Sequence, residues 1–223
     1  MLTCKTRRVR RRRRTQRDRA LRAVLAAILA LLVLLTAIVA FLLLRDRGLP
    51  GEGVEVPDDV AEAFLPVNRW SRPGVPLEEI NGVVIHYVGN PATTAEANRN
   101  YFASLASGTE NTFASSHFIV GLEGEVLQCI PLTEIAYASN DRNGDTIAIE
   151  VCHGDEAGQY GPETYARVVE LTAFLCREFR LDAETDVIRH YDVTGKVCPK
   201  YYVEHPEAWE QLKTDVAAAL AAE

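Results

Sequence analysis

From Ala23 to Leu44 the chain runs for 22 residues without a charged side chain, dominated by Leu, Ala, Val and Ile. At 1.5 Å rise per residue a helix of this length is about 33 Å long, close to the thickness of a bilayer core, so the run predicts a membrane-spanning helix. A cleaved signal peptide is the competing reading, but its apolar region is usually shorter, and no small-x-small site cleanly ends this one. Residues 1–22 hold eleven Lys and Arg and one acid, Asp18, whereas residues 23–223 hold 13 basic and 30 acidic residues. Only Arg45 and Arg47 follow the span closely. The positive-inside bias therefore places a basic tail, 1–22, in the cytoplasm and the acidic body outside.

The run Arg10 to Arg14 is of a kind also found in nucleic-acid binders. Directly ahead of an apolar span it is better explained as a topology signal with affinity for anionic lipid, and no nucleic-acid partner is expected. Cys4 precedes the span and so is no lipoprotein cysteine. Residues 45–64, rich in Gly, Pro and acids between Gly48 and Asp59, read as a linker. Fully extended, about 20 residues reach no more than ~70 Å, so the body is tethered near the outer membrane face.

Residues 65–223 suffice for one compact core. Apolar runs predict strands over 82–87, 117–121, 125–130, 146–152 and 186–190, with Gly121 to Gly124 as a hairpin turn. Helices are expected over 95–106 behind a Thr-Thr cap, over 162–179 with Pro162 in the first turn, and over 206–221. Strands interleaved with helices indicate a single α/β domain with a mixed central β-sheet flanked by helices, preceded by one transmembrane helix.

Two of these strands end in histidine, His86 and His190, and Cys198 follows His190 after a polar, turn-forming loop. Two imidazoles and a thiolate form a three-ligand set that leaves a tetrahedral zinc one open position. Taken singly, each histidine fits a satisfied core residue, and Cys198 fits an inert buried thiol or half of a disulfide. Glu150 is the one acid in the strand 146–152. It either faces solvent on an edge strand or supplies a proton-transfer carboxylate beside the ligand set. Lys196 is either a solvated loop lysine or a positive charge for a developing oxyanion. Cys129, Cys152 and Cys176 are expected to be buried free thiols, with Cys129 and Cys152 the first pair to test for a disulfide.

Four segments together carry a resemblance: Val83-Val-Ile-His-Tyr-Val-Gly-Asn90, Ser115-Ser-His-Phe-Ile-Val-Gly121, Asp145-Thr-Ile-Ala-Ile-Glu-Val-Cys152 and Arg189-His-Tyr-Asp-Val-Thr-Gly-Lys-Val-Cys-Pro199. In this order they resemble the zinc-dependent N-acetylmuramoyl-L-alanine amidases of the type 2 family, which includes phage lysozyme-type amidases and peptidoglycan recognition proteins. The resemblance implies a Zn2+ cofactor held by His86, His190 and Cys198, with Lys196 at the position of the family's active-site lysine. Where part of the family has a tyrosine near the metal this chain has Ser116, and the resemblance then shifts proton transfer to Glu150. It implies hydrolysis of the amide between N-acetylmuramic acid and L-alanine in peptidoglycan by a membrane-anchored enzyme. His117 falls outside the ligand pattern and is expected to be structural or to contact substrate. The competing expectations are an anchored protein that binds peptidoglycan without cutting it, and a zinc peptidase acting on another bond.

Overall fold

The computed structural model describes residues 3–45 and 48–222, with side chains at Arg19, 21–41 and 48–222. The side chains of Cys4 and of the Arg10 to Arg14 run lie outside the described residues, as does Arg47. The chain divides into two compact units, Met1–Gly48 and Leu49–Glu223. The first is one helix, α1 (Thr3–Arg45). Within it Leu21–Phe41, with a mean hydropathy of 3.1, is long and apolar enough to cross a membrane. Its side chains are exposed on every side. A helix that is apolar all round finds its low-energy surroundings in lipid rather than water.

The second unit is built on a six-stranded sheet in the order β1-β4-β3-β5-β2-β6. The strands are β1 (Val60–Glu62), β2 (Val83–Tyr87), β3 (Phe118–Val120), β4 (Val126–Gln128), β5 (Ile147–Val151) and β6 (Val187–Arg189). Only β3 and β4 pair antiparallel, joined by the expected hairpin, and the other pairs are parallel. The sheet is therefore mixed, as its interleaved helices require.

Period-two alternation sorts the strands onto two faces. Ile147, Ile149 and Val151 of β5 join Val83 and Ile85 of β2 in one cluster, covered by α3 (Pro162–Phe179) and α6 (Pro206–Ala222) through Val168, Leu171, Leu175, Trp209 and Leu212. Pro162 fits the first turn of α3 because its missing N–H would have no helical partner there. On the other face α2 (Ala95–Ser104) packs Ala95 and Phe102 with Ile119, Ile130 and Cys152. Thr94 caps α2 by accepting from Ala97 N at 3.1 Å.

Two differences from the sequence expectation have physical causes. The stretch 45–64 is not linker throughout, since from Leu49 it belongs to the folded unit and supplies the edge strand β1. Val54, Val56 and Val60 pack on the core, and Gly51, at φ +77°, lies so close to Leu132 that a Cβ there would meet its carbonyl oxygen at 2.5 Å. Its glycines bend the chain around the domain instead of freeing it. Secondly, α4 (His190–Thr194) occupies a segment read as loop and α5 (Lys200–Glu204) one to which no element was assigned, each only five residues long. As expected, Cys129, Cys152 and Cys176 are buried free thiols, and Cys198 is buried and free as well, so the Cys129–Cys152 disulfide does not form.

Candidate metal centre

The site lies at the carboxyl ends of the parallel strands β2, β5 and β6, on the face covered by α2. His86 stands opposite Glu150 in the β2–β5 register, so both side chains leave the same face of neighbouring strands. This refutes the solvent-facing edge alternative for Glu150, because β5 is flanked by β3 and β2. His190 starts α4 directly after β6, at a turn clamped by Asp192. The Asp192 carboxylate accepts from Arg189 N at 2.8 Å and from the Arg189 guanidinium at 2.7 Å. Helix α4 ends at Gly195, whose φ of +77° reverses the chain. Tyr191 N then donates to Cys198 O at 2.9 Å, which closes the loop and returns the sulfur to the cluster.

Cys198 Sγ lies 3.8 Å from His86 Nδ1, and the His86 and His190 ring centroids are 4.7 Å apart. One ligand atom from each of the three residues falls within 4.8 Å of the others. Ligands bonded tetrahedrally at 2.0–2.3 Å would sit about 3.5 Å apart, so a metal ion fits with small side-chain adjustments. The donor chemistry fits as well. His190 Nδ1 is buried without a hydrogen-bond partner, an expensive arrangement for a nitrogen with nothing to bind. Burial, reinforced by the other histidine and Lys196, holds the His86 pKa well below its ordinary value, and burial with Lys196 lowers that of His190. Both imidazoles are thus neutral near pH 7, the form that coordinates. Burial, with the neighbouring Glu150 charge, pushes the Cys198 thiol up to about 12, against a smaller pull downward from the Tyr87 N–H and Lys196.

A cleft of about 380 Å³ opens over this cluster, and His86, His190, Cys198, Glu150 and Lys196 all line it. Glu150 Oε2 is buried with no hydrogen-bond partner. Burial pushes its carboxyl up to about 8, against the opposing charge of Lys196. Lys196 is exposed on the loop ahead of Cys198, and its ammonium is close enough to act electrostatically on His86, His190, Glu150 and Cys198. Ser116 points inward instead, its hydroxyl bonding the carbonyl oxygens of Ala148 and Phe118 at 2.8 and 2.9 Å. Cys152 packs in the α2 cluster, where Asn98 Nδ2 lies 3.6 Å from its sulfur.

Sequence reasoning missed the opposite wall of the cleft, where Tyr137, Asn140 and Asn143 come from one loop. Ser139 and Asn140 of that loop bond His86 and His190. No periodicity marks such a loop, and its partners lie more than 49 residues away.

Residues 76–201, more than half of the chain, match the sequence profile of the N-acetylmuramoyl-L-alanine amidases. The chain belongs to the type 2 N-acetylmuramoyl-L-alanine amidase family. Within the family, N-acetylmuramoyl-L-alanine amidase BlyA of Bacillus subtilis (strain 168) is 30% identical over 178 residues, 71% of this chain and 47% of BlyA. The amidase CwlL of Bacillus licheniformis is 32% identical over 156 residues, 65% of this chain and 42% of CwlL. The chain spans about half the length of these curated relatives. Among solved structures, a mutant endolysin from Bacillus subtilis aligns with a TM-score of 0.58 at 25% identity, over 70% of this chain and 97% of that one. The mixed sheet with its flanking helices is therefore the amidase fold.

His117, expected to be structural or substrate-contacting, is structural. It is fully buried, accepts from Ala148 N at Nδ1 (3.0 Å), and donates from Nε2 to Glu134 O (2.9 Å). Burial outweighs the Glu134 contacts and lowers its pKa to about 4. Between pH 6.5 and 4 the unfolded chain therefore binds a proton that the folded chain does not, so stability falls as pH drops through that window. His117 contributes about 2–3 kcal/mol of loss between pH 7.5 and 4.5. Urea unfolding in detergent and chelator isolates this contribution as a difference: His117→Asn should be less stable than the unsubstituted full chain at pH 7.5 but lose about 2–3 kcal/mol less on acidification to pH 4.5.

Proposed function

We propose that this chain is a membrane-anchored, zinc-dependent N-acetylmuramoyl-L-alanine amidase that hydrolyses the amide between N-acetylmuramic acid and L-alanine of peptidoglycan. The observation that carries the proposal is the convergence of His86, His190 and Cys198 at the floor of a cleft that also holds Glu150 and Lys196. Family membership supports the same bond, since BlyA and CwlL are named for that activity.

In this reading His86 Nδ1, His190 Nδ1 and Cys198 Sγ would hold the zinc. Two neutral imidazoles and one thiolate would leave a bound zinc at net +1, and when bound it would supply Lewis acidity toward the scissile carbonyl. Glu150 takes a proton from the attacking water and returns it to the leaving amine of L-alanine. A carboxyl raised to about 8 by burial is matched to both transfers near neutral pH. Lys196 places positive charge beside the oxyanion that forms at the carbonyl, and its exposed stem lets the ammonium follow that charge. Residues 1–22 form a cytoplasmic tail, the helix spans the membrane, and the amidase domain faces the cell wall, a placement that the basic residues ahead of the apolar span support.

Incubating the full chain in detergent with purified peptidoglycan, followed by mass analysis, tests the proposal. The expected products are free stem peptides and intact glycan strands. Release should stop with chelator and return with added zinc. Cleavage within the stem peptide would establish a peptidase instead, and wall binding without any release would establish a recognition protein.

A further inference from the structure

His86 and His190 come from separate strands, yet the ring nitrogen that each turns away from the cluster is held by consecutive residues of one loop. His190 Nε2 lies 2.9 Å from Asn140 Oδ1, and His86 Nε2 lies 3.3 Å from Ser139 Oγ. An amide oxygen only accepts, so His190 carries its proton on Nε2 and keeps a lone pair on Nδ1, the atom that is buried without a partner. A proton on His86 Nε2 likewise leaves a lone pair on Nδ1, which faces Cys198 Sγ at 3.8 Å.

The loop is itself held in shape. Asn143 Oδ1 accepts from Ala138 N at 3.1 Å and from Ser139 N at 2.6 Å. Asn140 adopts a left-handed φ of +53°, which asparagine tolerates better than most residues. Ser139 is almost wholly buried, so its hydroxyl has no water to bond in place of His86.

We infer that Ser139 and Asn140 are positioning residues that fix the ring orientation of both histidines, Asn140 also fixing the tautomer of His190, so that the two Nδ1 atoms face a metal ion together with Cys198. The inference rests on the metal-centre reading proposed above. Rings oriented before the ion arrives lose little freedom on binding it, and partners of this kind typically contribute a factor of about 10–100 in metal affinity.

Competition between the full chain in detergent and a chromophoric chelator measures zinc affinity, and melting of the chelator-treated protein reports folding separately. Ser139→Ala and Asn140→Gly are each expected to bind zinc about 10–100-fold more weakly while melting near the unsubstituted chain. Glycine tolerates the left-handed backbone and removes only the acceptor. Asn140→Asp, which restores an acceptor for the same proton, should bind zinc about as well as the unsubstituted chain. Zinc affinity unchanged in both Ser139→Ala and Asn140→Gly would overturn the inference. So would an Asn140→Asp loss equal to that of Asn140→Gly, since the acceptor would then be irrelevant. An unsubstituted chain that binds no zinc would instead overturn the metal-centre reading on which the inference stands.

Discussion

Glu150→Gln is expected to lower the rate of stem-peptide release by about 10²–10⁴-fold while leaving zinc content unchanged. Glutamine keeps the volume and hydrogen-bonding reach of the carboxylate but cannot take up a proton. The fold should tolerate the change. Glu150 Oε2 is buried without a partner, and burial raises its pKa to about 8, so the folded protein gains nothing from ionising it. An amide there is uncharged, like the protonated carboxyl it replaces, and leaves no hole. The loss should appear in kcat with KM little changed, because the proton transfer belongs to the transition state. A Glu150→Gln variant that retained full turnover would remove this residue from the chemistry and leave the cleft without its base.

The legible parts of the fold were those with strong local pattern. The stripe of α3 and its Pro162 start gave its two ends, Pro162 and Phe179, correctly. The apolar runs of β2 and β5 located these two interior strands to within a residue at each end. Elements carried by tertiary contact were not legible. β1 is three residues in a Gly-, Pro- and acid-rich stretch, and it exists because β4 offers it a parallel edge. α4 and α5 are single turns too short for helical periodicity to register.

The candidate site divides the same way. His86, Glu150, His190 and Cys198 stand where strands or their following loops stop, and strand direction with side-chain alternation suffices to bring such residues to one edge of a parallel sheet. Ser139 and Asn140 meet the same histidines across more than 49 residues of chain, through a loop whose shape depends on the Asn143 side chain. Nothing local in the sequence marks that contact.

Cys198→Ala should release the metal while leaving the domain folded. The sulfur is almost fully buried, 3.8 Å from His86 Nδ1, and in the metal-free chain burial pushes its thiol up to about 12. Holding a cation is what would make the thiolate stable in such a place, because coordination deprotonates a thiol outright. Truncation to Ala removes one of three protein ligands and the only anionic one. The affinity loss should therefore exceed the roughly 10–100-fold typical of an outer partner such as Asn140. Zinc measured after dialysis should fall from about one equivalent toward none, and stem-peptide release should fall with it. Wall binding is expected to survive, because the cleft walls formed by Phe113, Tyr137 and Asn143 do not depend on the sulfur. The neutral thiol is lost without leaving a buried charge, so metal-free stability should change only by the small cavity term. Full zinc occupancy in Cys198→Ala would show that the ion is held by other residues, and the ligand set proposed from His86, His190 and Cys198 would have to be abandoned.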